Sequence, residues 1–196
     1  MIWSRNAPRL LLAIISFPLI ALGLSPRRNP ERDQKRAQSL SAFNQIVLVL
    51  ESPRCVNCHT NLDAPLQGDD GLLHDMNVKR GIDGRGTPAM RCTNCHQLSN
   101  SDIDHGPPGV SDWRLPPASE RMAWKGVSVG NVCRGLKDPS QNRNRNLNDL
   151  LQHVTNDPIV LWGWAPGSGR TPPPLSHADF VLQFRLWIET SAACPD

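Results

Sequence analysis

Two copies of one five-residue motif, Cys55-Val-Asn-Cys58-His59 and Cys92-Thr-Asn-Cys95-His96, constrain this chain more than anything else in it. Thiols three positions apart, followed at once by an imidazole, form the attachment pattern of c-type haem. The two cysteines alkylate the vinyl groups, and the histidine reaches the iron as its proximal ligand. Two alternative uses of such cysteine pairs are a four-thiolate zinc site and a redox-active or disulfide pair. The histidines weigh against zinc: with 6 His in the chain, both pairs would be followed by His by chance roughly once in a thousand sequences. The gap from Cys58 to Cys92 also exceeds the roughly 15 to 20 residues usual between zinc-ribbon pairs. Two covalently bound haem c groups are therefore expected, with Cys55, Cys58, Cys92 and Cys95 as attachment points and His59 and His96 as proximal ligands.

Haem attachment of this kind fits an exported protein, and the start of the chain reads that way. Arg5 and Arg9 precede an apolar run from Leu10 to Leu24, which has the charged and apolar regions of a secretory signal. The run is short for a membrane span of about 20 residues. Residues 1–24 are thus expected to be a signal peptide, cleavable after Gly23, or an uncleaved N-terminal anchor. Localisation is then periplasmic or otherwise exported, with membrane attachment only if the segment stays. Loss of Arg5 and Arg9 takes the formal charge from +3 to +1. Four haem propionates would bring the mature protein near neutrality, which argues against nucleic acid as a partner.

At 196 residues the chain is long enough for one domain and its core. Residues 25–50 read as a linker and a leading helix. From Glu31 to Leu50 a 3.6-residue period sets Leu40, Phe43, Val47 and Leu50 on one stripe, and Pro53 ends it. The dihaem domain is expected over residues 51–196. Between the motifs, residues 60–91 are rich in Gly, Asp and Pro, and little regular structure is expected there; a loop of that length suits wrapping around a ligand. Three further helices are expected: a short one capped by Ser128, one capped by Asn146 over 147–155 with Pro158 beyond its end, and a last one from Ser176 burying Phe180, Phe184, Trp187 and Ile188. Trp162 and Trp164 fall between helices. The fold class is mainly α with long irregular loops, a single-domain dihaem cytochrome c-like fold built around two haems.

Several segments beyond the motifs form a recognisable set: Arg54-Cys-Val-Asn-Cys-His59, Gln67-Gly-Asp-Asp70, Arg80-Gly-x-Asp83-Gly-x-Gly86, Met90-Arg-Cys-Thr-Asn-Cys-His96, Met122-Ala-Trp-Lys-Gly126, Cys133-x-x-Leu136-Lys-Asp138, and His153-x-x-x-Asp157 followed by Trp162-Gly-Trp164 and Arg170-x-Pro-x-Pro174. Together with the ending Ala193-Cys194-Pro195, they resemble a family of small exported dihaem cytochromes often labelled as the cytochrome subunit of isoquinoline 1-oxidoreductase. The resemblance covers residues 52–196. It implies an electron carrier, or the electron-exit subunit beside an exported dehydrogenase that passes electrons to a further acceptor. Nothing in the chain resembles a molybdopterin, flavin or iron–sulfur site.

The distal ligands are less determined. His74, Met76, Met90, His105, Met122, His153 and His177 are the available side chains. His74, on the inter-motif loop 15 residues after His59, is expected to close the first haem, with Met76 as the alternative. His153 or Met122 is expected at the second haem, His153 being oriented by Asp149 one turn earlier. Met90 is too near Cys92 to cross a haem, and His105 and His177 read as solvated. Arg80, Arg85 and Arg91 could pair with propionates or lie in solvent. The leftover Cys133 and Cys194, in an oxidising compartment, are expected to form a disulfide, the alternative being two buried thiols. Electron transfer leads among the functions, because no nucleophile stands beside an arranged base. A dihaem enzyme such as a peroxidase needs an iron with an open distal side, and a zinc-binding structural module needs no haem.

Overall fold

The computed structural model describes Met1 and residues 29–196, so the expected signal or anchor segment, Met1 aside, and the start of the linker lie outside the described residues. Helix α1 spans Pro30–Leu50. Asn29 caps it, its side-chain oxygen accepting from the backbone of Glu31 at 3.1 Å and Arg32 at 3.3 Å, with Pro30 in the first turn where its missing N–H costs nothing. The buried stripe is wider than the periodicity suggested. Ser39, Ala42, Ile46 and Val49 join Phe43, Val47 and Leu50, while Leu40 is half-buried. Ser39 is there for its hydroxyl, which donates to the Trp187 carbonyl at 3.0 Å and accepts from the Ala193 amide at 2.9 Å.

These bonds belong to the main packing of the molecule, α1 against the last helix α6, His177–Glu189. Phe180, Phe184 and Trp187 of α6 are buried, and Phe43 meets Trp187 with ring centres 5.3 Å apart. Burying each such aromatic side chain stabilises by about 2–3 kcal/mol. Ser176 caps α6 by accepting from the Asp179 amide at 3.1 Å, as the sequence indicated.

The short helix α2, Pro53–Val56, follows α1 directly and carries the chain into the first motif. The stretch between the motifs is not wholly irregular. It forms two small antiparallel ribbons: β1 (Leu66–Gln67) pairs with β2 (Leu72–Leu73), Leu66 opposite Leu73, and β3 (Gly86–Thr87) pairs with β4 (Met90–Arg91), Gly86 opposite Arg91. Gly68, Asp69, Asp70 and Gly71 make the turn of the first ribbon and Pro88 and Ala89 that of the second, while Gly81, Asp83 and Gly84 lie in the approach to β3. Gly84 illustrates the constraint. Its φ is +77°, and a Cβ there would lie 2.2 Å from the Leu115 carbonyl oxygen, so no side chain fits.

Helix α3, Val129–Lys137, is capped by Ser128. Gly130, which by propensity should weaken it, lets the C-terminus pack close: a Cβ there would be 2.6 Å from the Pro195 carbonyl oxygen. Helix α4, Leu147–Asn156, opens with a reciprocal capping box between Asn146 and Asp149. Pro158 does not simply follow a helix end. It starts a further helix, α5 (Pro158–Trp162), capped by Asp157, so Trp162 ends a helix rather than lying between two.

Cys133 and Cys194 are disulfide-bonded, with Cα atoms 5.5 Å apart across a separation of 61 residues, and tie α3 to the chain end. Removing a bridge over a loop of that length costs about 4 kcal/mol on the chain-entropy model. The Cys133→Ser/Cys194→Ser double variant should show that loss in denaturant melts, and non-reducing peptide mapping of the parent should recover the linked pair.

Candidate functional site

Both motifs fold into the same tight turn. The His59 amide donates to the Cys55 carbonyl and the His96 amide to the Cys92 carbonyl, each at 3.0 Å. The turn puts two thiols and an imidazole on one wall of a cavity. The two cavities contain about 1130 and 1300 Å³ of non-protein space, including their open mouths. Cys55, Cys58 and His59 line the first; Cys92, Cys95 and His96 line the second. All four motif cysteines are free thiols.

Each motif histidine is fixed by the same two devices. His59 has Nδ1 3.0 Å from the Met122 carbonyl, and His96 has Nδ1 2.7 Å from the Pro108 carbonyl. Each ring also lies flat on a tryptophan: His59 on Trp124 at 3.6 Å between centres and 9° between planes, His96 on Trp113 at 4.5 Å and 4°. An Nδ1–H held by a carbonyl fixes the tautomer and leaves Nε2 as the electron-pair donor. The Trp124 amide, donating to the His59 carbonyl at 2.9 Å, locks this first support in place. Burial, working against the Met122 carbonyl, pulls the His59 imidazole down to about 3, so it stays neutral and able to ligate. Burial likewise pushes the Cys55 thiol up to about 12 and the Cys58 thiol to about 11. Among the described residues, no three His, Cys, Asp or Glu side chains converge as a metal-holding group.

A second imidazole lines each cavity, but in the opposite pairing to that expected. His74 lies in the second cavity, its ring centre 6.0 Å from that of His96 at 64° between planes. Two imidazoles on opposite sides of one iron, with metal–nitrogen bonds of about 2 Å, have centres roughly 6 Å apart. His153 lies in the first cavity, near enough to His59 that its charge helps lower that histidine. His74 was expected beside the first motif and His153 or Met122 beside the second; the structure places His74 beside the second and both His153 and Met122 beside the first. The cause is long-range packing. The Leu66 amide bonds to the Asn57 carbonyl, which turns the β1–β2 ribbon away from His59 and over the second cavity. Helix α4 packs on α5 and α6 beside the first. Met122 also lines the first cavity, and its carbonyl holds His59 Nδ1.

Other expectations are also revised. Asp149 is engaged in its capping box; the carboxylate on His153 is Asp157, 3.2 Å from Nδ1. His177 is not simply solvated, since Nε2 lies 2.9 Å from the Val154 carbonyl and the ring packs on Trp164. His105 is exposed at the rim of the second cavity, and Met76 and Met90 also border it. Arg80 is fully buried and donates to the carbonyls of Pro116, Thr60 and Leu62; it braces the inter-motif loop. Arg85 and Arg91 pair with Asp112 and Asp83. Of the three arginines expected near propionates only Arg91 lines a cavity, the second, together with Arg54 and Arg170; Arg54, Arg114, Arg143 and Arg145 line the first. Arg54, Cys58, Leu115 and Trp162 line both cavities and form the wall between them. The Arg54 side chain is buried and pairs through Nη2 with Asp69 at 2.6 Å, while its Nε, like that of Arg80, has no partner. An unsatisfied buried donor of this kind fits an anionic group such as a propionate.

The donor set, the apolar linings and the paired imidazoles fit two haems. Compared with protein-family models, curated proteins and solved structures, the chain finds no match.

Proposed function

We propose that this protein is a dihaem c-type cytochrome that relays single electrons from an exported dehydrogenase to a further acceptor. The observation that carries the reading is the duplicated support of His59 and His96, each with Nδ1 on a carbonyl and its ring on a tryptophan. Haem supplies the one-electron iron couple. The chain supplies the rest. Cys55, Cys58, Cys92 and Cys95 would anchor the groups by thioethers, and His59 and His96 would ligate from one side. His153 and His74, lining the same cavities, would ligate from the other. The wall of Arg54, Cys58, Leu115 and Trp162 separates the two cavities by single side chains. The resemblance to the isoquinoline 1-oxidoreductase cytochrome subunits and the apolar start of the chain support an exported partner.

A second imidazole in each cavity also favours electron transfer over peroxidase chemistry, which needs an open iron. The oxidised protein, titrated with cyanide and peroxide, should remain six-coordinate at both haems and accept one electron at each. Rapid binding of either ligand at one haem would favour the enzyme instead.

A further inference from the structure

Five imidazoles line the two cavities, and three rest their Nδ1 on backbone carbonyls: His59 on Met122, His96 on Pro108, and His74 on Asp75 at 2.9 Å. The exposed His105 at the rim lies 3.8 Å from the Asp104 carboxylate, whereas the enclosed His153 meets Oδ2 of Asp157 at 3.2 Å. Helix α4 ends one turn after His153, and the backbone there, with the Asp157 amide donating to the His153 carbonyl at 3.1 Å, brings the carboxylate under the ring. Asp157 is itself pinned. Its Oδ1 accepts from the Ile159 amide at 3.0 Å, and its Oδ2 accepts from Arg114 at 2.9 Å. Arg114 is held in turn by Asp112 at 2.5 Å, and Asp112 also pairs with Arg85. The side chains of His153 and Asp157 are largely enclosed, 24% and 14% exposed, so solvent screens their contact little.

We propose that Asp157 is a positioning residue that orients His153 toward the first cavity and selectively lowers the reduction potential of the haem held there. This rests on the dihaem reading. A carboxylate on Nδ1–H fixes the ring with Nε2 outward and draws the proton toward itself, making the imidazole a stronger electron donor. A stronger donor stabilises the oxidised iron and lowers its potential. The neutral carbonyl on His74 exerts far less of this pull, so the effect belongs to one haem of the two.

The test is spectroelectrochemical titration of the full-length holoprotein and its Asp157→Asn variant, after counting haem per chain in each. Asn is as good a helix cap as Asp, so the start of α5 survives. One of the two one-electron waves should move to higher potential by at least a tenfold change in its equilibrium, or 59 mV, while the other stays. The wave assigned to the second motif is the one that His74→Ala displaces. Asp157→Ser, also a cap but too short to reach His153, should shift the same wave and additionally speed cyanide binding at that haem. Two haems with neither wave moved in either variant, or both waves moved equally, would overturn the assignment of Asp157 alone. Fewer than two haems in the parent would overturn the dihaem reading itself.

Discussion

Replacing His153 by Ala should open the iron of the first motif to cyanide and leave the second closed, and replacing His74 by Ala should do the reverse. The pairing follows from which cavity each imidazole lines, not from distance along the chain. Loss of an outer partner alone costs a metal site about 10- to 100-fold, so loss of the ligand should raise cyanide affinity at that iron by at least as much. A chain in which Cys92 and Cys95 are both Ser keeps the first motif alone and removes ambiguity. There, His153→Ala should expose the haem and His74→Ala should not. Met122→Leu should open neither haem in the parent, because Met122 touches His59 through a backbone carbonyl that Leu retains. If His74→Ala opened the single haem of the Cys92→Ser/Cys95→Ser chain, the assignment of imidazoles to cavities would be wrong.

The two attachment sites should also differ sharply in how far the fold depends on them. Residues of α1, α3, α4, α5 and α6 all line the first cavity, among them Leu50, Leu136, Leu150, Ile159, Phe180 and Phe184. It lies in the core. At about 24 cal/mol per Å³, even a void of about 200 Å³ costs about 5 kcal/mol, comparable to the whole stability of a small domain. The Cys55→Ser/Cys58→Ser chain should therefore fail to accumulate as folded protein, or melt without cooperativity. The second cavity is built from ribbons and loops, with Cys95 exposed. The Cys92→Ser/Cys95→Ser chain should survive with one haem and a cooperative transition. Haem content per chain together with thermal melts followed by circular dichroism compares the two, and equal tolerance at both sites would contradict this account.

What the sequence could and could not convey follows the range of the interactions involved. The caps at Ser128, Asn146 and Ser176 and the apolar face of α6 are local, so spacing alone located them. The disulfide was legible because two cysteines were left over from the motifs. The ribbons at Leu66 and Gly86 were missed because their strands, two residues each, are too short to display alternation. The cavity that each second imidazole lines is set by long-range contacts. Nearness in sequence favoured His74 for His59, whereas the bond from Leu66 to Asn57 and the packing of α4 on α6 decide it. Asp157, next to Pro158, was passed over for Asp149, although Asp157 also lies four residues from His153 and its place as the cap of α5 could have marked it. Arg80 looked like a propionate partner; its burial among carbonyls is a tertiary fact with no local signature.

The most direct test of the central claim is the intact mass of the mature protein after acid–acetone extraction, together with a pyridine haemochrome assay. The account predicts a mass above that of the mature chain by two haems, colour retained through the extraction, and a haemochrome count of two per chain. A chain of unmodified mass that loses its colour, or that carries one zinc and no haem, would contradict it.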